Sequence, residues 1–247
     1  MMEAPRLTAD AALFLDFDGT LVDLAPRPDA VQVDGALVDA LDRLRRRLGG
    51  AVAIISGRPI AEIDVHLAPL HLAAAGLHGL EHRDAPDTPV RREEAGAEIR
   101  ALRGLLNASG LLRDGVFLED KGPALAVHYR AAPERAGEVE ALLVEATAVM
   151  PGLHLVRGKM VVEAKPFDRD KGSALRAFMA HAPFEGRVPV YVGDDVTDED
   201  GMRAALAAGG LAIKVGAGES CASYRLADVA AVHAWLETLA PALECQP

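Results

Sequence analysis

The chain has 247 residues, enough for one large domain or two smaller ones, and its 50% hydrophobic and 26% charged residues are typical of a soluble globular protein. Its net charge of −11 argues against sequence-independent binding to nucleic acid or to an anionic membrane. Two cysteines without metal-ligand spacing, and no apolar segment that resembles a membrane span or a signal peptide, predict a cytoplasmic protein.

The first third of the chain alternates strand-like and helix-like segments. An apolar run at residues 11–15 predicts a buried strand, and residues 51–55 and 70–76 predict two more. A loop rich in proline and aspartate at residues 24–34 precedes a predicted helix whose apolar face is formed by Leu37, Leu41, Leu44 and Leu48. This order is typical of a βαβ chain that builds a parallel sheet.

The middle of the chain has a different pattern. It reads as helix, two strands, helix, two strands, at residues 93–112, 116–118 and 123–129, from Pro133 onward, and at 153–156 and 159–164. Such an order predicts an α+β module, built like two copies of one αββ unit and inserted within the βαβ chain.

From residue 166 the first pattern resumes, with two strands and a closing helix predicted at residues 188–192, 211–215 and 229–239. Thr197 and Asp200 predict a capping box at a helix start. The predicted fold is α/β, with a core that is split in sequence around the module, and the three parts are residues 1–83, 84–165 and 166–247.

Two carboxylates, Asp16 and Asp18, follow the first apolar strand directly. Their side chains would point the same way from an extended chain, and carboxylates that close repel each other unless a cation or a shared proton lies between them. The carboxyl ends of parallel strands are where open α/β sheets bind their ligands. The pair therefore predicts a chemical site at this edge of the sheet.

Four motifs in order resemble those of the haloacid-dehalogenase-like (HAD) superfamily, most of whose members are phosphatases. The motifs are Asp16-Phe17-Asp18-Gly19-Thr20-Leu21, Ser56-Gly57-Arg58, Asp170-Lys171-Gly172 and Gly193-Asp194-Asp195. The resemblance implies a HAD-like, Rossmannoid core with a mostly parallel sheet. The inserted module falls where this superfamily carries a C2-type cap domain, which selects the substrate.

The resemblance also implies phosphate-ester hydrolysis with Mg²⁺. Asp16 would attack phosphorus and form an aspartyl-phosphate, while Asp18 would protonate the leaving oxygen and then activate water. Mg²⁺ would be bound by Asp16, by Asp194 and by the backbone carbonyl of Asp18. Asp195 and Asp198 would support the metal site through water or hydrogen bonds.

The same resemblance implies a set of residues that hold the phosphoryl group. Lys171 would act as a point charge that bridges the phosphate and the Asp16 carboxylate, and would count as catalytic for that reason. Backbone N–H groups and a hydroxyl at a strand-to-helix junction can also bind phosphate. The full predicted set is Thr20, Ser56, Gly57 and Lys171.

Further motifs resemble those of trehalose-6-phosphate phosphatases over nearly the whole chain: Gly79-x-Glu81, Glu119-Asp120-Lys121, His128-Tyr129-Arg130 and Arg157-Gly158-Lys159-x-Val161-x-Glu163. This implies hydrolysis of trehalose 6-phosphate, the last step of trehalose biosynthesis, and a functional link to a trehalose-6-phosphate synthase. Paired carboxylates and cations on alternate strand positions suit sugar hydroxyls. The predicted sugar-binding set is Glu119, Lys121, Arg130, Lys159 and Glu163.

Two alternatives stay open at this point. One is a related C2-capped enzyme that acts on another sugar phosphate, such as glucosylglycerol phosphate or sucrose phosphate, or that resembles a phosphomannomutase. The other is a sugar-phosphate-binding regulatory module without activity, against which the retained Asp16, Asp18, Lys171 and Asp194 argue. The charged residues of the inserted module also fit a solvated sheet face with ion pairs that add little stability.

Overall fold

The computed structural model describes residues 4–24, 31, 33–158, 160–166 and 169–244. The chain divides into two compact units. We call Met1–Arg91 with Asp170–Pro247 the core unit, and Arg92–Arg169 the inserted unit.

Strands and helices are numbered in chain order over the described residues. The strands are β1 (Ala11–Leu15), β2 (Val52–Ile55), β3 (Ala73–Gly76), β4 (Glu81–Arg83), β5 (Arg91–Arg92), β6 (Phe117–Asp120), β7 (Leu125–His128), β8 (Leu153–Gly158), β9 (Val161–Pro166), β10 (Val188–Gly193), β11 (Leu211–Val215) and β12 (Tyr224–Leu226). The helices are α1 (Gly35–Arg47), α2 (Ile60–Leu67), α3 (Ala97–Ala108), α4 (Ala136–Thr147), α5 (Lys171–Met179), α6 (Asp198–Ala207) and α7 (Val229–Glu244).

The main sheet has eight strands in the order β12-β11-β10-β1-β2-β3-β4-β5. Strand β1 lies between β10 and β2 and pairs in parallel with both. Parallel pairing continues to β3 on one side and to β11 and β12 on the other, whereas β4 runs antiparallel to β3. The prediction of an α/β fold with a mostly parallel sheet is confirmed.

The central strands are buried along their whole length. All five residues of β1 and all four of β2 are buried, as their continuous apolar sequences require in a sheet covered on both faces. The chain leaves β1 for β2 on one side and returns through β10 on the other. The carboxyl ends of β1 and β10 therefore border a crevice of the kind in which doubly wound sheets bind ligands.

Helix α1 has an N-terminal cap, and it has the buried apolar face that its sequence predicts. The Asp34 side chain accepts a hydrogen bond from the backbone N–H of Ala36 at 3.0 Å and so caps the first turn. Leu37, Leu41 and Leu44 are buried on one face, which confirms the predicted leucine face.

The inserted unit has its own four-stranded antiparallel sheet, in the order β6-β7-β9-β8. Each half of the unit is a helix followed by two strands, as the sequence predicted, first α3, β6 and β7, then α4, β8 and β9. The apolar face of the sheet and the two helices enclose a separate core, which includes Leu102, Leu106, Leu125, Val127, Leu143 and Val162.

Several predicted boundaries differ from the observed elements. The third strand is limited to β3, and the first helix of the inserted unit spans α3 rather than residues 93–112. Strand β5 extends the main sheet past residue 83, and the first part of the core unit runs to Arg91. Residues 25–30 and 32 of the predicted loop lie outside the described residues. No described helix combines the length and the apolar character that crossing a membrane requires.

Candidate active site

The carboxyl edge of the main sheet brings the predicted motifs together. A cavity of about 340 Å³ opens there, and its lining includes Asp16, Asp18, Ser56, Gly57, Lys171 and Asp194. These residues follow β1, β2 and β10 or begin α5. Residues that are as far apart in sequence as Asp16 and Thr197 therefore share one cavity in the core unit.

Gly19 makes the close approach of the first and last motifs possible. Its φ angle of +78° lies in the left-handed region, which glycine adopts without strain. A Cβ atom at this position would lie 2.2 Å from Oδ2 of Asp194. The glycine after Asp18 is therefore required by space as well as by backbone geometry.

Lys171 connects two buried carboxylates. Its side chain is 4% exposed, and Nζ donates hydrogen bonds to Oδ1 of Asp16 and to Oδ1 of Asp198, both at 2.7 Å. The start of α5 is fixed by a capping box in which Asp170 accepts from the backbone N–H of Ser173 at 2.6 Å. Burial acts to lower the pKa of Lys171, but the charges of Asp16 and Asp198 outweigh it and raise that pKa above its ordinary value.

Asp198 holds the loop after β10. Its Oδ2 accepts from the backbone N–H groups of Asp194 at 3.1 Å and Asp195 at 2.9 Å, and its Oδ1 accepts from the Tyr191 hydroxyl at 2.8 Å. The predicted capping box at Thr197 is wrong, because the Thr197 side chain makes no capping hydrogen bond. The carboxylate one residue later binds the backbone of the preceding loop instead.

Tyr191 is a site residue that the sequence analysis missed. It is fully buried in β10, and burial followed by the negative charge of Asp198 raises the pKa of its hydroxyl well above the ordinary value. The hydroxyl therefore stays protonated and donates to Asp198. The available signal was one tyrosine in an otherwise aliphatic strand that ends in Gly193-Asp194.

Three carboxylates form a cluster that suits a divalent cation. Oxygens of Asp16, Asp194 and Asp198 lie within 4.8 Å of one another, and Oδ1 of Asp194 is buried without a hydrogen-bond partner in the described part of the chain. Burial raises the pKa of Asp16 and of Asp194, and the charge of Asp198 adds to both shifts. Lys171 binds two of these carboxylates, and the charge of Lys214 also acts on Asp194. Three carboxylates beside two ammonium groups leave an excess of negative charge for a cation to balance.

The oxygens of the cluster are not equally available. Both oxygens of Asp198 already accept hydrogen bonds, so Asp198 orients its neighbours rather than offering a free oxygen. Asp194 has its unpartnered Oδ1, and Lys214 Nζ donates to the backbone carbonyl of Asp194. Asp195 lines the cavity and is exposed, and its own carboxylate accepts from the backbone N–H of Val196 at 2.7 Å.

Asp18 is held by a residue to which the sequence assigned no role. Arg58 donates from Nε to Oδ2 of Asp18 at 2.6 Å and from Nη2 to Oδ1 at 2.7 Å. The Asp18 side chain is 30% exposed and lines the cavity. The motif Ser56-Gly57-Arg58 suggested a phosphate-binding turn. It could not indicate that Arg58 pairs with Asp18, because the two residues are 40 positions apart in sequence.

The other predicted phosphate ligands differ in position. Ser56 and Gly57 line the cavity, and Oγ of Ser56 accepts from the backbone N–H of Arg58 at 3.1 Å. Thr20 is fully buried, and its hydroxyl donates to Oδ2 of Asp16 at 3.5 Å. Thr20 therefore contacts the Asp16 carboxylate itself.

Several predicted sugar ligands lie on one face of the sheet in the inserted unit. Lys121 Nζ donates to Oε1 of Glu163 at 3.2 Å, and Oε2 of Glu119 lies 2.8 Å from Nε2 of His128. Ala126 pairs with both Glu119 and Glu163, so the two carboxylates extend from neighbouring register positions. Arg130 is exposed, and Lys159 lies outside the described residues.

Comparison with known proteins identifies the family. Residues 14–230 match the family described as trehalose-phosphatase. The chain belongs to the trehalose-phosphatase family. It is 40% identical over 244 residues to the trehalose-6-phosphate phosphatase of Escherichia coli (strain K12), an alignment that covers 99% of this chain and 92% of that protein.

A second relative and a solved structure agree with this assignment to the trehalose-phosphatase family. A probable trehalose-phosphate phosphatase of Sinorhizobium fredii (strain NBRC 101917 / NGR234) is 45% identical over 206 residues, which cover 83% of this chain and 77% of that protein. The structure of the Aspergillus fumigatus trehalose-6-phosphate phosphatase is 25% identical, with a TM-score of 0.71 and coverage of 93% and 92%. The family resemblance predicted from the motifs is confirmed, and the chain is a phosphoric monoester hydrolase by family.

Proposed function

We propose that this protein hydrolyses trehalose 6-phosphate to trehalose and phosphate, with Mg²⁺ and through an aspartyl-phosphate on Asp16. The observation that carries the proposal is the cluster of Asp16, Lys171 and Asp198, all buried, with the partly buried Asp194. Relatives named for this substrate at 40% and 45% identity support the choice of ester.

The first step transfers the phosphoryl group to the enzyme. An Asp16 oxygen attacks phosphorus, a new O–P bond forms, and the bond from phosphorus to the sugar oxygen breaks. Asp18 donates its proton to that leaving oxygen, so free trehalose departs as an alcohol. Lys171 binds Oδ1 of Asp16 at 2.7 Å, whereas Thr20 donates to Oδ2 at 3.5 Å, so the more weakly held Oδ2 is assigned as the attacking oxygen.

The second step releases phosphate. Asp18, now a carboxylate, accepts a proton from a water molecule while the water oxygen attacks phosphorus, and the bond to Asp16 breaks. Asp16, Asp194 and the backbone carbonyl of Asp18 would hold Mg²⁺, which would supply positive charge that offsets the charge of the phosphoryl oxygens. In the free protein the charges of Asp16 and Asp198 raise the pKa of Lys171 above its ordinary value. Its ammonium group would add a second positive charge beside the phosphoryl group.

Turnover of a panel of esters tests the choice of substrate. We expect phosphate release from trehalose 6-phosphate to exceed that from sucrose 6-phosphate and glucosylglycerol phosphate by about tenfold or more, a difference that one or two lost polar contacts produce. Brisk turnover of another sugar phosphate with none of trehalose 6-phosphate would reject the proposed substrate. Binding of trehalose 6-phosphate without turnover of any ester would favour the regulatory module.

We further propose that the charged face of the inserted unit binds the trehalose group through Glu119, Lys121, Arg130, Lys159 and Glu163. The Lys121–Glu163 pair supports this role because its members are 19% and 14% exposed and span two strands of one face. The trehalose 6-phosphate would come from a trehalose-6-phosphate synthase, and we place both reactions in the cytoplasm.

Replacement of Glu163 tests this sugar-binding face. Glu163→Gln keeps the size of the side chain but removes the charge that pairs with Lys121. We expect kcat/KM for trehalose 6-phosphate to fall by about 10- to 100-fold, as when a site loses hydrogen bonds to a substrate hydroxyl. The rate with p-nitrophenyl phosphate, which has no sugar, is expected to stay within about twofold of wild type.

Glu145→Gln is the matched control for the Glu163 variant. Glu145 is exposed on α4 of the same unit, so this variant makes the same charge change away from the charged sheet face. Both rates are expected to match wild type. Equal losses with both esters in the Glu163 variant would show that Glu163 does not contact the sugar.

A further inference from the structure

Arg58 and Asp18 form a bidentate ion pair beside the cavity, and the proposed phosphatase mechanism gives Arg58 no role. Two parallel N–H···O bonds of 2.6 and 2.7 Å join the guanidinium and the carboxylate. Such a bidentate arrangement fixes the plane of a carboxylate, whereas a single hydrogen bond leaves it free to rotate. The orientation of the Asp18 carboxylate is therefore set by Arg58.

Arg58 is itself held on several sides. Its side chain is 11% exposed, its Cζ lies 5.7 Å from the centre of the Phe17 ring, and Nη1 donates to Oε2 of Glu62 at 3.4 Å. Nη1 also lies 3.4 Å from Nε2 of His66. A guanidinium with this many contacts loses little further freedom when it orients a carboxylate, so it can serve as a rigid support.

The backbone that carries Arg58 is anchored to the same edge of the sheet. The backbone N–H of Arg58 donates to Oγ of Ser56 at 3.1 Å. Two residues further on, the backbone N–H of Ile60 donates to Oε2 of the buried Glu81 at 2.7 Å, which ties the start of α2 to β4. Arg58 therefore reaches Asp18 from a turn that is fixed at both ends.

Two hydrogen bonds from a guanidinium leave room for proton transfer. Each carboxylate oxygen can accept two hydrogen bonds, and Arg58 uses one position on each. Asp18 also lines the cavity and its side chain is 30% exposed, so the carboxylate that Arg58 holds is within reach of a ligand in that cavity. One side of the Asp18 carboxylate is thus held by Arg58. The other side can give a proton to a substrate oxygen or take one from water.

We propose that Arg58 is a positioning residue that orients the Asp18 carboxylate for proton transfer to the leaving oxygen of the ester. The proposal rests on the function proposed above, in which Asp18 is the acid and base. Arg58 itself touches neither the ester nor the nucleophile in this scheme. Its contribution is confined to the steps in which Asp18 moves a proton.

The test compares esters that need an acid with one that does not. A sugar oxygen leaves as a strongly basic alkoxide unless it is protonated, whereas p-nitrophenolate leaves readily without a proton. In Arg58→Gln we expect kcat/KM for trehalose 6-phosphate to fall by about 10- to 100-fold, part of the range that general acid catalysis contributes. For p-nitrophenyl phosphate we expect a change below about threefold, since kcat/KM reports the steps up to departure of the leaving group.

Two further variants distinguish positioning from a structural role. Arg58→Lys keeps the positive charge but cannot donate two parallel hydrogen bonds. We therefore expect its kcat/KM for trehalose 6-phosphate to lie between the values of wild type and Arg58→Gln. Asp18→Asn is expected to show the same dependence on the leaving group with a larger loss. Adding Arg58→Gln to Asp18→Asn is expected to cause less than about twofold further loss, because the two residues act as one unit.

Arg83→Gln provides the matched control. Arg83 makes a bidentate pair with Asp64, with bonds of 2.7 and 2.6 Å, is 4% exposed, and belongs to the same unit. We expect this variant to lower the melting temperature without any dependence of the rate on the leaving group. Equal losses with both esters in Arg58→Gln, no loss with either, or full additivity with Asp18→Asn would overturn the proposal.

The substrate assignment and the positioning role can fail separately. Failure of wild-type protein to hydrolyse trehalose 6-phosphate would reject the proposed substrate. The same Arg58 comparison would then use whichever alkyl phosphate the wild type hydrolyses best. Absence of alkyl ester turnover with retained p-nitrophenyl phosphate turnover would overturn the acid role of Asp18, and with it the role of Arg58.

Discussion

Asp16→Asn is expected to lower the turnover of trehalose 6-phosphate by about 10⁴-fold or more, the scale seen when a nucleophile is removed from a covalent mechanism. Asparagine has nearly the same size as aspartate but cannot form the phosphoryl-enzyme bond. Lys171 keeps its 2.7 Å bond to Asp198 in this variant, so the site loses one charge and keeps its frame. Circular dichroism and the melting temperature are expected to show a folded protein.

The melting temperature of Asp16→Asn tests whether Asp16 is needed for the fold. Burial raises the pKa of Asp16 well above its ordinary value, against the opposing charge of Lys171. The metal-free protein therefore holds the charged Asp16 at a cost near neutral pH, and we expect the melting temperature of metal-free Asp16→Asn to equal or exceed that of wild type. A variant that unfolds would instead indicate that Asp16 is needed mainly for the fold.

Trapping distinguishes the nucleophile from other roles for Asp16. Acid quenching during turnover of a ³²P-labelled ester is expected to leave label on wild-type protein, and hydroxylamine is expected to release it, as an acyl phosphate requires. Asp16→Asn should carry no label. Asp42→Asn, which changes a carboxylate on the surface of α1 that binds Arg45 and Arg46, is the control expected to label and turn over like wild type. Turnover of Asp16→Asn within about tenfold of wild type would reject the assignment.

Much of the core unit follows from local sequence patterns. The apolar run of β1 ends at Asp16, and β10 ends in Gly193-Asp194, so the sequence predicts both a parallel sheet and two carboxylates at one edge of it. Lys171 has no such signal of its own. Its place beside Asp16 was predicted from the order of four motifs, and the two residues are 155 positions apart.

The contacts that the sequence did not reveal depend on tertiary structure. Arg58 meets Asp18 because β1 and β2 are neighbours in the sheet, and Tyr191 meets Asp198 because the chain turns back after β10. The Thr197 capping box was a local prediction that failed for a related reason. Backbone N–H groups of the preceding loop needed an acceptor, and Asp198 supplied it.

In the inserted unit too, the sequence pattern predicts the helices and strands but not the contacts between their side chains. Its two αββ halves follow from hydrophobic periodicity, but the pairing of β7 with β9 places strands from different halves side by side. Lys121 and Glu163 are 42 residues apart and meet only through this pairing. A prediction from alternate positions within one strand can name such residues, but it cannot give their partners.

Removal of Mg²⁺ is expected to reduce turnover to background, and added Mg²⁺ is expected to restore it. Asp194→Asn should raise the Mg²⁺ concentration needed for half-maximal turnover by about 10- to 100-fold. The substitution removes the negative charge of the carboxylate that carries the unpartnered Oδ1. Mg²⁺ should also raise the melting temperature of wild type, since an ion that binds only the folded state stabilises it. The variant should show little of this increase.

The pH dependence of this stabilisation has a defined sign. Burial raises the pKa of Asp16 and of Asp194, so the metal-free folded protein favours their protonated forms more than the unfolded chain does. Their stabilising contribution is present below the ordinary aspartate pKa and is lost as the pH rises through the raised values. Mg²⁺ competes with these protons, and its effect on the melting temperature should therefore be larger at about pH 7.5 than at about pH 5.5.

A binding measurement without turnover completes the test of the metal site. Isothermal titration of metal-free wild type with Mg²⁺ is expected to show one site, weakened in Asp194→Asn and unchanged in Asp42→Asn, which removes a surface carboxylate paired with arginines on α1. Full turnover in the presence of excess chelator would show that the carboxylate cluster works without a cation. Equal Mg²⁺ affinity in wild type and Asp194→Asn would show that the metal does not bind at the carboxyl end of β10, where oxygens of Asp16, Asp194 and Asp198 lie within 4.8 Å of one another.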